Sequence, residues 1–302
     1  MYVFLLKLCL FFACIEVRAA EENPVFEELV EKGVMMSDGK AYKLPRPVLT
    51  DALDAASQRA AIEKIAGGRY KVEDLMLKTS SAPVMTKFRT LKAAEDESAT
   101  IRAIDVWFVA HGKWETLNSK EFLDSLAKGK DTEGENRMVS KTGFLTDEEM
   151  QKRKLKLDMP EGQEAKFVYS TFSLFEQVEV SSTRYAVVIR GNSDLLAAGR
   201  IDLRFDKDAD YPNQWRPILR DAAANISFGE PQPYTGAGAY ARITRLAEPA
   251  DAIFVEGHIV FEEPYGWFEG GNLLRSKAPV MIQQRVKIFR SKLGIASAKQ
   301  EK

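Results

Sequence analysis

One of the two histidines of this chain, His258, lies between carboxylates in a segment with the alternation of a β-strand. Because successive side chains point to opposite faces of a strand, Glu256, His258 and Glu262 share one face. An imidazole beside two carboxylates could bind a metal ion or transfer protons. A solvated strand face is the favoured interpretation, in which Glu256 or Glu262 pairs with Arg285 or Lys287 of the following strand. On that interpretation, His258→Ala changes the free energy of unfolding by no more than about 0.5 kcal/mol in either direction.

The other histidine, His111, follows an apolar segment and lies on the same predicted strand face as Asp105. Burial of Asp105 would raise its pKa, which is typical of many functional sites. A structural role is favoured, in which Asp105 accepts hydrogen bonds from backbone amides or a nearby arginine and His111 is exposed at the strand end. The candidate catalytic residues are therefore His258, Glu256, Glu262, Asp105 and His111, and no metal ligand is predicted.

Aromatic residues in two loops, together with one arginine, are the candidates for binding. These candidates are Tyr265, Trp267, Phe268, Trp215 and Arg216. The first three lie in a glycine-containing loop, where they could stack on a sugar or contact a partner, or else fold back over the sheet edge. Arg216 lies in a proline-bracketed segment and could bind a carboxylate. Anchoring of a long loop is the favoured role of that segment.

Other chemical motifs are incomplete or missing from the sequence. The acidic run Asp206–Asp210 invites comparison with a calcium loop, but an EF-hand requires Gly and Glu where this chain has Tyr211 and Pro217. A solvated turn is the better interpretation of the run, with a calcium site of another type as the alternative. The sequence contains no nucleophile elbow, Walker loop, dinucleotide fingerprint or zinc-protease motif. It therefore favours a protein that is not an enzyme, and it predicts no cofactor.

The N-terminal segment predicts export. Met1–Ile15 is apolar apart from Lys7, is too short to span a bilayer, and leads to a V-x-A sequence. We therefore predict a signal peptide over residues 1–19. Both cysteines, Cys9 and Cys14, lie within it, so no disulfide is predicted in the exported chain. Lipidation at Cys14 is the alternative, and export without disulfides favours the bacterial periplasm or exterior.

Length and charge limit the classes of partner. The 302 residues include 45% hydrophobic residues, enough to form a full core in one large domain or two modest ones. The formal net charge is −1, with no basic cluster, so the sequence predicts no nucleic-acid partner. With the signal peptide removed, no transmembrane segment is predicted.

The distribution of apolar residues positions these candidates on a sheet. Residues 20–95 are predicted to form a helical N-terminal region, residues 96–290 a β-rich domain with a charged excursion over 129–165, and residues 291–302 a flexible tail. Strands are predicted over 100–110, 167–180, 184–190, 200–206, 239–246, 252–262 and 280–289, with a hairpin turn over 181–183. Consecutive strands without helical crossovers favour antiparallel pairing. The predicted fold class is α+β, with N-terminal helices packed on a mainly antiparallel sheet.

The run Ile201–Asp206, continued by Tyr211–Pro217, resembles secreted hypothetical proteins of planctomycete-type bacteria. This resemblance covers the β-rich half of the chain. It implies export and a bacterial source, and it implies no activity.

Three functional hypotheses follow from the sequence. The favoured one is an exported, non-enzymatic envelope protein that binds a partner or ligand through its sheet. The second is a carrier of a lipid or other apolar molecule in a cavity between sheet and helices. The third is a hydrolase that uses His258 or His111 with nearby carboxylates.

Overall fold

The computed structural model describes residues 23–50, 53–93, 99–119, 122, 141–157, 163–268 and 273–299. The predicted signal peptide, its cysteines and residues 129–140 and 158–162 of the charged excursion lie outside these residues. The described helices are α1 (Pro24–Glu27), α2 (Ala55–Ala66), α3 (Val72–Leu75), α4 (Asp147–Lys152) and α5 (Leu273–Lys299). No helix among these residues is long and apolar enough to cross a membrane.

The centre of the molecule is an antiparallel sheet of eleven strands. Two short strands outside it, β1 (Val34–Met35) and β2 (Ala41–Tyr42), form a separate pair. The strands of the large sheet are β3 (Met85–Lys92), β4 (Thr100–His111), β5 (Lys141–Phe144), β6 (Gln163–Leu174), β7 (Val178–Arg190), β8 (Asp194–Ile201), β9 (Gln214–Arg220), β10 (Ile226–Phe228), β11 (Gln232–Pro233), β12 (Ala237–Arg245) and β13 (Ala252–Glu263).

Strand order confirms the predicted antiparallel α+β class. The main path runs β10-β9-β7-β8-β12-β13-β4-β3. Strand β6 pairs with β5 and with one edge of β7, while β8 and β9 share the other edge of β7. The strands predicted over 100–110, 239–246 and 252–262 correspond to β4, β12 and β13.

One face of the sheet packs against α5, the longest described helix. Its buried apolar residues recur every three or four positions, which is the spacing of one helical face; they are Leu274, Ala278, Ile282, Val286, Phe289 and Leu293. The predicted strand over 280–289 is therefore wrong. The predicted flexible tail also differs from the structure, because α5 continues to Lys299 and Leu293 is fully buried.

The opposite face carries the N-terminal part of the chain. Residues of α1 and the following π-helical turn (Glu28–Lys32), including Phe26 and Leu29, pack against Tyr240 and Val260 of the sheet. Residues of α2 and α3 form a second cluster on the same face, beside Trp107. The longest described helix is nevertheless the C-terminal α5, so the predicted architecture, which has N-terminal helices packed on the sheet and no C-terminal helix, is wrong in this respect. The region predicted as helical, 20–95, also contains β1, β2 and β3.

Two local predictions fail because turn-forming residues were placed incorrectly. The β6–β7 turn occurs at Phe175 and Glu176, which both adopt positive φ, and residues 181–183 lie within β7. The strand predicted over 200–206 ends at Ile201. A 3-10 turn follows there because the Asp202 side chain accepts a hydrogen bond from the Arg204 amide.

Candidate functional site

Three of the five predicted catalytic candidates, His258, Asp105 and Glu256, meet in a buried cluster between the sheet and the N-terminal segment. The Nδ1 atom of His258 lies 2.8 Å from Oδ1 of Asp105, which is opposite it on β4. Arg89 of β3 donates two hydrogen bonds of 3.1 Å to the same carboxylate. The Nε2 atom of His258 lies 3.7 Å from Glu256 Oε2, so this contact is an ion pair rather than a hydrogen bond.

These side chains are buried, in contrast to the predicted solvated face. Glu256, His258 and Glu262 are 0%, 1% and 3% exposed. Arg285 and Lys287, their predicted partners, lie on α5 at the opposite face of the sheet. The apolar alternation of β13 is confirmed, since Ile253, Val255, Ile259 and Phe261 all belong to the core beside α5.

The cluster shifts the pKa values of its members in opposite directions. Burial alone would raise the pKa of Asp105, but its hydrogen bonds to His258 and Arg89 and their charges hold that pKa below its usual value. The raised pKa considered from the sequence is therefore wrong, and the predicted arginine partner is present. Burial alone would lower the pKa of His258, yet the hydrogen bond to Asp105 and the charges of both carboxylates raise it. A protonated His258 between two carboxylates is thus favoured.

Buried carboxylates of this cluster and its neighbourhood also hold the N-terminal segment against the sheet. The Val48 amide donates to Glu256 at 2.9 Å, and the Ser37 amide donates to Glu262. The Tyr240 hydroxyl donates to the carbonyl of Pro45 at 2.6 Å. The geometry gives the strand residues a structural role, which is to satisfy backbone groups of the segment that covers them.

A change of pH should reveal the charge on His258. A raised pKa means that its contribution to stability is complete below the usual histidine pKa of about 6.5 and is lost as pH rises through the folded-state value. We expect the stability advantage of the wild type over His258→Gln to fall as the pH rises above about 6.5, by at most about 1.4 kcal/mol per pH unit. Urea unfolding of both proteins at a series of pH values from about 6 upward measures this advantage. An advantage that stays constant or grows with pH would contradict a protonated His258 in the folded protein.

His111 lies apart from the cluster, at the far end of β4. Its Nδ1 atom contacts Asp251 at 3.3 Å and its Nε2 atom lies 2.9 Å from the carbonyl oxygen of Met76. The His111 side chain is 8% exposed, so its predicted exposure is wrong. Both ring nitrogens are engaged by neighbouring groups, and His111 does not join Asp105 in one site.

Most of the predicted binding aromatics belong to the core. Trp215, Trp267 and Phe268 are buried in the cluster beneath α5, where Trp215 and Trp267 approach edge to face at 6.1 Å. Only Tyr265 is exposed, at 59%. The alternative in which this loop folds back over the sheet therefore describes Trp267 and Phe268 correctly.

The proline-bracketed segment anchors a loop, as predicted. Asn213 is fully buried; its side chain accepts from the Thr183 amide and donates to the Asp202 carbonyl, both at 2.8 Å. In the acidic run, Asp208 forms two hydrogen bonds with Arg153, which lower the Asp208 pKa to about 2. Among the described residues, no group of three or more His, Cys, Asp and Glu side chains could hold a metal ion.

Beside this anchored loop, the sheet forms an open polar groove of about 290 Å³. The strand register places Lys141, Thr171, Ser181 and Gln214 in one row across β5, β6, β7 and β9. Side chains in one row share a face, so this row forms the floor of the groove. Thr171 and Ser181 hydroxyls share a hydrogen bond of 2.9 Å.

A stack of side chains forms one wall of the groove. The rings of Tyr169 and Tyr211 lie 4.7 Å apart, and the Arg153 guanidinium lies 4.9 Å from the centre of the Tyr211 ring. A hydrogen bond to Glu149 raises the pKa of Tyr211 to about 12. The Tyr169 ring lies so close to Gly143 that a side chain there would collide with it. The wall is therefore held in place before any ligand arrives.

At the other end of the groove, Arg216 is oriented by two neighbours. Its Nε donates to Glu179 at 2.7 Å, and its guanidinium carbon lies 3.9 Å from the centre of the Phe228 ring. Its terminal nitrogens make no hydrogen bond to any described residue. The arrangement presents the outer edge of a fixed guanidinium, which is suited to a planar anion.

Arg216 is the only predicted binding residue among those that line the groove. The sequence contains a signal for the rest, because Glu179, Ser181 and Thr183 alternate along one strand. Because residues 181–183 were predicted to form a turn, the polar residues on either side of Ser181 were not recognised as one face of a single strand. Comparisons give no further guide, since no protein-family model and no curated protein matches this chain.

Proposed function

We propose that the protein is a non-enzymatic binding protein that holds a small polar ligand in the groove between β5, β6, β7, β9 and the 210–214 segment. The observation that carries the proposal is Arg216, fixed by Glu179 and Phe228 with its terminal nitrogens free of described partners. Side chains already held in place lose little conformational freedom on binding, which favours affinity. A volume of about 290 Å³ suits a small molecule or a short stretch of a longer one.

The two other hypotheses find less support. Hydrolysis at His258 would require substrate to reach a side chain that is 1% exposed and covered by residues 45–48. A carrier would require open space between sheet and helix, where Phe289 instead contacts both Phe108 and Phe122. We propose export as the setting of the binding function, on the basis of the apolar segment Met1–Ile15 and the V-x-A sequence after it.

Removal of the Arg216 side chain should abolish binding. The probe is a mixture of monosaccharides, uronic acids, amino acids and hydroxy acids, observed by saturation-transfer NMR. We expect at least one component to receive saturation from the wild type and to lose that signal with Arg216→Ala. Arg220→Ala is the matched control, because Arg220 lies on the same strand, pairs with Glu176 and does not line the groove. Equal signals with both variants, or no signal with the wild type, would contradict the proposal.

A further inference from the structure

We infer that the ligand of the groove is a polyhydroxylated carboxylate, that is, an acidic sugar or a chain that contains one. This inference rests on the proposed function and specifies its ligand class. Carboxylates are planar and accept two parallel hydrogen bonds from a guanidinium edge. Arg216 offers such an edge, and its orientation is fixed by Glu179 rather than by a ligand.

The charges that line the groove favour a ligand group that carries one negative charge over a group that carries two, such as a phosphate dianion. Lys141 is exposed and makes no ion pair with any described residue. Arg216 and Lys141 are the lining cations, while Glu179 and Asp210 are lining carboxylates. Glu179 is paired with Arg216, and Asp210 with Arg153. A phosphate dianion would be repelled by these carboxylates, whereas a carboxylate needs only the guanidinium edge and the nearby ammonium.

The rest of the groove is suited to hydroxyl groups. The Tyr169 hydroxyl and the Gln214 amide make no hydrogen bond to other described residues, and both line the groove. The hydroxyl pair of Thr171 and Ser181 lies between them, and each of its oxygens can form further bonds. Neutral donors and acceptors of this kind match sugar hydroxyls. The ring faces of Tyr169 and Tyr211 are stacked on each other, so hydrogen bonding rather than ring stacking should dominate recognition.

Calorimetric titration with a matched pair of ligands tests the inference. The probes are a trimer of galacturonic acid and the same trimer with its carboxyl groups reduced to alcohols. We expect the acid to bind the wild type about tenfold or more tightly than the neutral trimer, and Arg216→Lys to remove that preference, because lysine lacks the planar donor edge. Arg220→Lys is the control that should retain it.

The outcomes separate the ligand class from the proposed function. Equal binding of both trimers, with loss of both in Arg216→Ala, would overturn the acidic-sugar inference and leave the binding groove in place. Tight binding of inorganic phosphate, with no binding of the acidic trimer, would also overturn the inference. Failure of the acidic trimer to bind, combined with a positive result for another component of the NMR mixture, would reject the ligand class alone.

Discussion

Replacement of His258 by alanine should lower the free energy of unfolding by about 3 kcal/mol or more. The wild-type imidazole lies between Asp105 and Glu256, each of which is nearly or fully removed from solvent. Its removal leaves these carboxylates without their shared cation and also creates a cavity beneath the N-terminal segment. Urea unfolding near pH 6 is the appropriate measurement, since the raised pKa of His258 favours its protonated form there.

His111→Ala is the matched control for this prediction. His111 has a single acidic partner, Asp251, whose side chain is 44% exposed, so water can replace the lost contact. We expect His111→Ala to lower the free energy of unfolding by about 1 kcal/mol. A cost for His258→Ala within about 0.5 kcal/mol of zero, as the sequence alone predicts, would show that the cluster does not stabilise the fold.

The second large effect is expected at Phe289, on the C-terminal helix α5. Its ring is 1% exposed and meets Phe108 of β4 edge to face at 5.7 Å and Phe122 at 5.8 Å. Removal of such a ring leaves a cavity that the rigid sheet cannot close. Phe289→Ala should therefore lower the free energy of unfolding by about 3–5 kcal/mol, measured by urea denaturation.

Val280 supplies the control on the same helix. It is 54% exposed, so Val280→Ala removes little buried surface, and alanine favours a helix. We expect Val280→Ala to change the free energy of unfolding by no more than about 0.5 kcal/mol. In a strand over 280–289, the even-numbered residue 280 would share the face of Ile282 and Val286. Comparable losses for Val280→Ala and Phe289→Ala would thus contradict the helical assignment.

The sequence predicted the strands that carry a long alternation of apolar residues, and it failed where local patterns are ambiguous. Strands β4, β12 and β13 were predicted because a long alternation of apolar residues is typical of a buried strand. Residues 280–289 also contain alternating apolar residues, and Pro279 disfavours a helix. The recurrence of apolar residues every three or four positions indicates a helix only over the whole segment from Leu274 to Leu293, because several helical turns are needed before this period can be distinguished from alternation.

The failure at His258 has a different physical origin. Period two correctly placed Glu256, His258 and Glu262 on one face of β13. The alternation could not show that a segment more than two hundred residues earlier covers that face. The segment contacts the face through backbone amides such as those of Ser37 and Val48. Every residue except proline has a backbone N–H donor, so the residue types do not indicate which amides will make these contacts. The groove was missed for a related reason, since its floor combines one residue from each of four strands.

The Nε–H resonance of Arg216 provides the most direct test of the binding groove. Its position in the NMR spectrum can be assigned by comparison with Arg216→Lys and followed during titration with the galacturonic acid trimer. We expect the Arg216 resonance to shift in proportion to ligand occupancy, while the resonance of Arg220 stays in place. Saturable binding that leaves the Arg216 resonance unchanged would contradict the account, because the ligand would then occupy another part of the molecule.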